Sequence, residues 1–262
     1  KILMLCVMLL LASCETPPSQ SPHSSQPQPQ RVLVERAIAA AGGIEVLRAL
    51  RGESIKGTAK YWEPEQSHSP GGEPRFAADA SFDLTLDLVN RRARTDWEKK
   101  FAYPAPRTFK YTEVVTPDAG YVIGVDSNGR NAQSLQSNPP AHTMSGFRLA
   151  ASQREAMRAS PALLLELHND PARVQRVADQ AAGRATYPAV QYASRQGNFI
   201  LMFDRVTGVL ARVRTLDYDN IWGDVNYDLT FADWQSLGGV RVPVHQRYEL
   251  NGRVVADIRW TQ

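Results

Sequence analysis

Residues 215–231 read TLDYDNIWGDVNYDLTF, with aspartates at 217, 219, 224 and 228. A calcium loop of the EF type needs oxygen ligands at alternate positions and glycine at the sixth. Counted from Asp217, the third position is Asp219, but the fifth is Ile221 and the sixth Trp222, so that pattern fails. Strand alternation fits instead. Val225, Tyr227, Leu229 and Phe231 share one face, and Asp224, Asn226, Asp228 and Thr230 share the other. The stretch reads as two strands connected around Asp219-Asn220 and Gly223, with Ile221 and Trp222 folded over the sheet end.

Working outward, the same period recurs. TYPAVQYAS, NFILMFD, GVLARVRTLDYD, GDVNYDLTFADW, VRVPVHQRYEL and VVADIRWTQ form a six-strand meander from about residue 186. Thr207-Gly208, Gly238-Gly239 and Asn251-Gly252 supply its turns. Upstream, ESIKGTAKYWEP is a strand ended by Pro64, and residues 65–75 are an exposed loop. In ASFDLTLDLVN, Phe82, Leu84, Leu86 and Leu88 face one way and Asp83, Thr85 and Asp87 the other. RRARTDWEKKF pairs with it, and RTFKYTEVVT and GYVIGVD follow as strands.

Helical periodicity marks three places. In residues 31–50, Val34, Ala37, Ile38 and Ala41 form a stripe that Gly42-Gly43 ends, and a second short helix follows. The glycine pair lacks a preceding strand and GxGxxG spacing, so it is a cap and not a phosphate loop. Residues 145–158 and 161–170 are the other helices, the second opened by Ser160-Pro161. PARVQRVADQ continues as a short helix or an irregular arm. No strand alternates with a crossover helix, which excludes doubly wound folds. The expected class is α+β: a large twisted antiparallel β-sheet, half-open and barrel-like, with helices packed over one face.

The chain opens KILMLCVMLLLASCE. Residues 2–12 have the length of a signal-peptide core, too short to span a bilayer. Leu11-Ala12-Ser13-Cys14 resembles a bacterial lipobox, in which the cysteine is diacylated after residues 1–13 are removed. Two acyl chains anchor a protein stably. Glu15 at the next position favours, by the same resemblance, the periplasmic face of the outer membrane. Cys6 leaves with the leader, so Cys14 has no disulfide partner. Residues 14–30 thus comprise the lipidated cysteine and a Pro/Ser/Gln tether with little to bury, and residues 31–262 form a single antiparallel-sheet domain with helices.

The formal net charge is +3, without a long basic run interleaved with aromatics, which gives nucleic-acid binding no support. GxSxG, HExxH, CxxC and P-loop motifs are absent. His23 falls in the tether, His68 in the exposed loop, and His168 near a helix end where a cation suits the dipole. His245 lies on a strand face with Pro243, Arg247 and Glu249. His142, in NPPAHTMSG, is the one histidine read as a possible polar site. No catalytic residue, metal ligand or cofactor is assigned, and whether the chain is an enzyme is left open.

Long segments carry two resemblances. AAAGGIEVLRALRGESIKGTAKYWEPEQSHSPGGEPRF, TDWEKKFAYPAPR, YVIGVD, NPPAHTMSG, RVTGVLARVRTLDYDNIWGDVNYDL and GGVRVPVHQRYELNGR resemble the N-terminal region of exported bacterial metallo-β-lactamase-fold hydrolases. In that family a metal-binding domain marked by HxHxDH follows; no HxHxDH occurs here, so its catalytic residues have no counterpart in this sequence. The order of helices, hairpins, TG turn and GGVxVP hairpin also resembles periplasmic lipoprotein carriers and their outer-membrane acceptors, which hold acyl chains under helices. That second resemblance implies an apolar cavity lined by Phe82, Leu84, Leu86, Phe199, Leu201, Phe203, Tyr227, Leu229 and Phe231; filling of a solid core by the same side chains is the alternative. The expected function is a membrane-anchored envelope lipoprotein module that binds an apolar or amphipathic, lipid-like ligand. The alternative is an accessory or truncated N-terminal domain of an exported metallo-β-lactamase-fold hydrolase, with a hydrolase domain or another protein as partner.

Overall fold

The computed structural model describes residues 28–262. The leader, Cys14 and the tether up to residue 27 lie outside the described residues. Two helices come first, α1 (Pro29–Ala40) and α2 (Ile44–Ala49). A first meander follows: β1 (Gly52–Glu63), β2 (Arg75–Asp87), β3 (Arg92–Phe101), β4 (Arg107–Val115) and β5 (Gly120–Gly124). Then come α3 (Ala132–Ser137), the short β6 (Ala141–Thr143), α4 (Gly146–Ala159) and α5 (Ala162–Asn169). The second meander is β7 (Val174–Ala182), β8 (Ala185–Ser194), β9 (Gly197–Phe203), β10 (Leu210–Asp219), β11 (Gly223–Leu237), β12 (Val240–Leu250) and β13 (Arg253–Trp260).

All thirteen strands form one sheet in the order β6-β5-β4-β3-β2-β1-β13-β12-β11-β10-β9-β8-β7. Neighbours pair antiparallel, including β1 with β13, where Gly57 faces Trp260 and Tyr61 faces Ala256. That pairing joins the two meanders at a seam. The strands β6 and β7 are the edges, so the sheet is bent over its helices without closing into a barrel.

The helices cover one face. Under α1, α2 and α5 the second meander is packed solid. Val34, Ala37 and Ile38 of α1 and Leu163, Leu164 and Leu167 of α5 meet Phe199, Leu201, Phe203, Val213 and Leu229, all buried. The Gly42-Gly43 cap is tighter than a helix stop requires. A side chain at Gly42 would stand 2.4 Å from the Gly239 carbonyl oxygen, and Arg241 N donates to Ala41 O at 2.9 Å. The helix end is thus fastened to the β11–β12 turn. A smaller cluster of Phe109, Tyr111, Val115, Val122 and Met144 lies under the start of α4 in the first meander.

Three local features differ from the sequence reading. PARVQRVADQ is a 3-10 turn, Pro171–Arg173, followed by edge strand β7; its burial is sparse because an edge strand has a partner on one side only. The helix α3 is capped by Asn131, which accepts from Ser134 N at 2.9 Å while Ser134 Oγ accepts from Asn131 N at 2.9 Å. Ile221 does not fold over the sheet end: it is 63% exposed, whereas Trp222 is half-buried beside the Arg253 guanidinium.

The aspartates of the opening stretch go four ways. Asp219 caps its own turn, accepting from the Ile221 and Trp222 amides at 2.7 Å each. Asp224 is exposed. Asp228, on the face away from the helices, is buried beneath Arg212 and Arg214, which bond it at 2.7 Å each. Asp217 points to the helix side, where it meets Arg154 at 2.5 Å.

Candidate functional site: a cavity beneath α4

The helix α4 lies across the middle of the sheet and is held there mainly by polar bonds. Ser145 caps it, accepting from Arg148 N at 3.2 Å. Arg148 bonds Glu113 of β4 at 2.6 Å and Asp126 at 2.7 Å. Burial works against the Asp126 charge, but Arg148 and the Asn128 amides hold its carboxyl below the usual range. Gln153 Nε2 donates to the Thr116 and Pro117 carbonyls at 2.9 Å. At the far end, Arg154 pairs with Asp217. Arg158 donates to Glu155 Oε2 at 2.6 Å and to Thr215 Oγ1 at 3.0 Å, and its guanidinium lies 4.3 Å from the Tyr227 ring centre. Tyr248 OH donates to Glu155 Oε1. Burial and the nearby Glu155 charge push the Tyr248 hydroxyl far up, so it stays a neutral donor.

Where Arg154, Glu155 and Arg158 do not reach across, α4 turns only small side chains toward the sheet: Ala151, Ser152, Ala156 and Ala159. Such side chains cannot reach the strands below, and a cavity of about 990 Å³ remains. That is near the upper end for small-molecule sites. Its floor crosses the seam, with Ile55 and Tyr61 of β1 on one side and Ile258 and Trp260 of β13 on the other. Gly57 sits in this floor because a side chain there would lie 2.5 Å from the Phe82 ring and 2.6 Å from the Arg259 carbonyl oxygen. Phe82 then packs against Trp97, ring centres 5.4 Å apart.

Two polar groups near the floor are unusual. Glu53, on the helix-facing side of β1, lines the cavity among Ile55, Leu84 and Leu86. Its Oε1 is buried with no hydrogen-bond partner, and burial pushes its carboxyl up to about 7. Lys99 of β3 is boxed by aromatic rings, its Nζ 4.4 Å from the centre of Trp97, 4.7 Å from Tyr61 and 5.7 Å from Tyr111. Burial lowers the affinity of its amine for a proton.

Of the nine expected lining residues, Phe82, Leu84, Leu86 and Tyr227 line this cavity. Phe199, Leu201, Phe203, Leu229 and Phe231 lie in the solid core, because the leucines of α5 and the stripe of α1 fill the space above them. His142 is apart from the cavity, its Nδ1 2.8 Å from the Pro139 carbonyl oxygen on β6. His245 bonds Asp257 at 2.9 Å on the opposite face of the sheet, and His168 bonds Glu35 at 3.0 Å. Glu53 was missed, although its signal was present: it shares a strand face with Ile55, so an acid interrupts an apolar row. Among the described residues no group of three or more His, Cys, Asp or Glu is arranged to hold a metal ion, and no helix is long and apolar enough to cross a membrane.

No protein-family model matches the chain, and no curated protein matches it. Two solved structures align along most of it. A DUF1329 family protein from Desulfovibrio piger gives a TM-score of 0.42 at 12% identity, over 90% of this chain and 92% of that one. A LolA superfamily protein from Nitrosomonas europaea gives 0.46 at 9% identity, over 89% and 91%. Both likenesses are weak and concern the fold alone; the functional reading rests on the cavity.

Proposed function

We propose that this chain is an envelope lipoprotein module that binds an apolar or amphipathic, lipid-like ligand in the cavity beneath α4. The observation that carries the reading is a space of about 990 Å³ floored by Phe82, Leu84, Trp97, Ile258 and Trp260. An apolar ligand of that size removes its surface from water at roughly 25 cal/mol per Å². In this reading residues 31–262 act as one domain, and acyl chains on Cys14 hold it at the membrane, at the periplasmic face of the outer membrane. Ligand capture requires no catalytic residue.

Native mass spectrometry of the protein released from bacterial envelopes tests the reading. A lipid co-purifying in stoichiometric amount supports it. Ligand-free protein that also takes up no uncharged fluorescent acylglycerol overturns it. The intact mass of membrane-extracted protein tests the anchor, since an unmodified Cys14 rules lipidation out.

A further inference from the structure

The lining of the cavity is unevenly charged. Seven carboxylate residues border it against two arginines, and both arginines are already engaged. Arg158 is held by Glu155 and Arg154 by Asp217, while Glu113 is matched by Arg148. Asp219 is turned into its own loop, and Glu63 and Glu65 border the end of the cavity nearest the β10–β11 turn. Lys99, the remaining cation close by, is enclosed by three rings. Glu53 is the exception among the acids. Like Glu63, Glu65 and Asp219 it has no ion-pair partner among the described residues, but one of its oxygens is buried without a hydrogen bond, and it sits on the strand face of Ile55 in the row of Leu86 and Ala93.

An unpartnered carboxyl in such surroundings costs about 1–3 kcal/mol as an unmade hydrogen bond, more if charged. The complement is a donor that arrives with the ligand. An anionic head group meets like charge there. An alcohol satisfies one hydrogen bond. An ammonium makes a charge-assisted bond to the carboxylate, the stronger of the two.

We propose that the cavity selects apolar ligands carrying a basic amine, with Glu53 as the counter-ion to that nitrogen. This rests on the ligand-binding reading above and names its ligand class. Binding ionises Glu53: a ligand arriving as ammonium drives the carboxyl proton into solvent, and one arriving as free amine takes that proton itself. Burial raises the carboxyl of the empty site to about 7, so below neutral pH it holds its proton until the ligand's nitrogen arrives.

Octylamine, 1-octanol and octanoate separate the possibilities, titrated against the full chain in phosphatidylcholine nanodiscs with empty discs as control. Tryptophan fluorescence reports binding, because Trp62, Trp97 and Trp260 line the cavity. Octylamine is expected to bind about tenfold or more tighter than octanol, and octanoate weakest. Glu53→Gln removes the preference for the amine, so that octylamine binds no tighter than octanol; Glu53→Asp keeps the preference. Calorimetry at pH 6.5 in two buffers of different ionisation enthalpy shows proton release with octylamine in the wild type and none in Glu53→Gln. A cooperative urea unfolding transition verifies that the Gln variant is folded, and Glu53→Met serves if it is not. Octanoate binding as tightly as octylamine, or an unchanged order in the neutral variants, overturns the amine assignment while octanol binding sustains the cavity. Failure of all three probes overturns both.

Discussion

One sheet carries two differently built halves. Above the second meander, α5 (ALLLELHN) lowers Leu163, Leu164 and Leu167 onto Phe199, Leu201 and Leu229, and all six side chains are buried against one another. Above the centre and the first meander, α4 (GFRLAASQREAMRA) offers alanines and serine, with Arg158 its one fully buried side chain. The strands below carry apolar rows in both places. The difference lies in the reach of the covering helix: leucine fills a gap that alanine leaves. Apolar burial fixes α5, whereas ion pairs at its two ends suspend α4. A helix attached in that way can bridge a hollow because its fastening does not depend on filling it.

Substitutions at matched positions break or sharpen this contrast. The largest effect is expected at Leu201→Ala, in the solid half, at about 3–4 kcal/mol by urea unfolding, against about 1 kcal/mol for Leu84→Ala on the cavity floor. Equal losses at the two sites contradict the contrast. Arg158→Ala comes next. It takes the buried guanidinium from Glu155 and Thr215 and costs on the order of 2–3 kcal/mol. Hydrogen exchange then quickens in α4 and not in α5; uniform protection in both helices shows that the ion pairs do not hold α4.

The pH dependence of stability tests the hollow half directly. Glu53 binds its proton more tightly folded, near 7, than at its ordinary 4.5. The stability from that proton is complete below pH 4.5 and is lost as pH rises through 7, a swing on the order of 3 kcal/mol. Glu53→Gln flattens this slope between pH 5 and 8; an unchanged slope assigns it to another group. The smallest effect on stability is expected for Leu84→Trp, within about 1 kcal/mol because the ring enters empty space, yet octanol uptake falls. A loss as large as that at Leu201 shows that no room exists there.

Most of the fold was legible as alternation. The six strands after residue 186, the 42–43 stop and the buried stripe of α1 follow from period and turn chemistry alone. The edge strand β7 was not, because VQRVADQAA has one neighbour and buries little, so its pattern barely alternates. The cavity was half legible. Phe82 and Phe199 read alike, each an apolar residue on the inner face of a strand. Periodicity says which way a side chain points but not what stands opposite, and that depends on helices distant in sequence. Asp228 shows the same limit on the outer face, where an alternating acid expected in solvent is buried under two arginines from the neighbouring strand.

The seam between β1 and β13 has a consequence for when the protein becomes competent. Its partners, such as Gly57 and Trp260, stand about two hundred residues apart, the longest-range strand pairing in the sheet. Each meander can assemble from hairpins as it emerges, since its pairings are local. The cavity cannot, because its floor takes Ile55 and Tyr61 from the first strand and Ile258 and Trp260 from the last. A chain that appears in an unfolded state, amino end first, therefore builds its load-bearing core before its binding site. Until the final strand arrives, the β1 edge stays unpaired, and it is over this interval that a holding chaperone has something to protect.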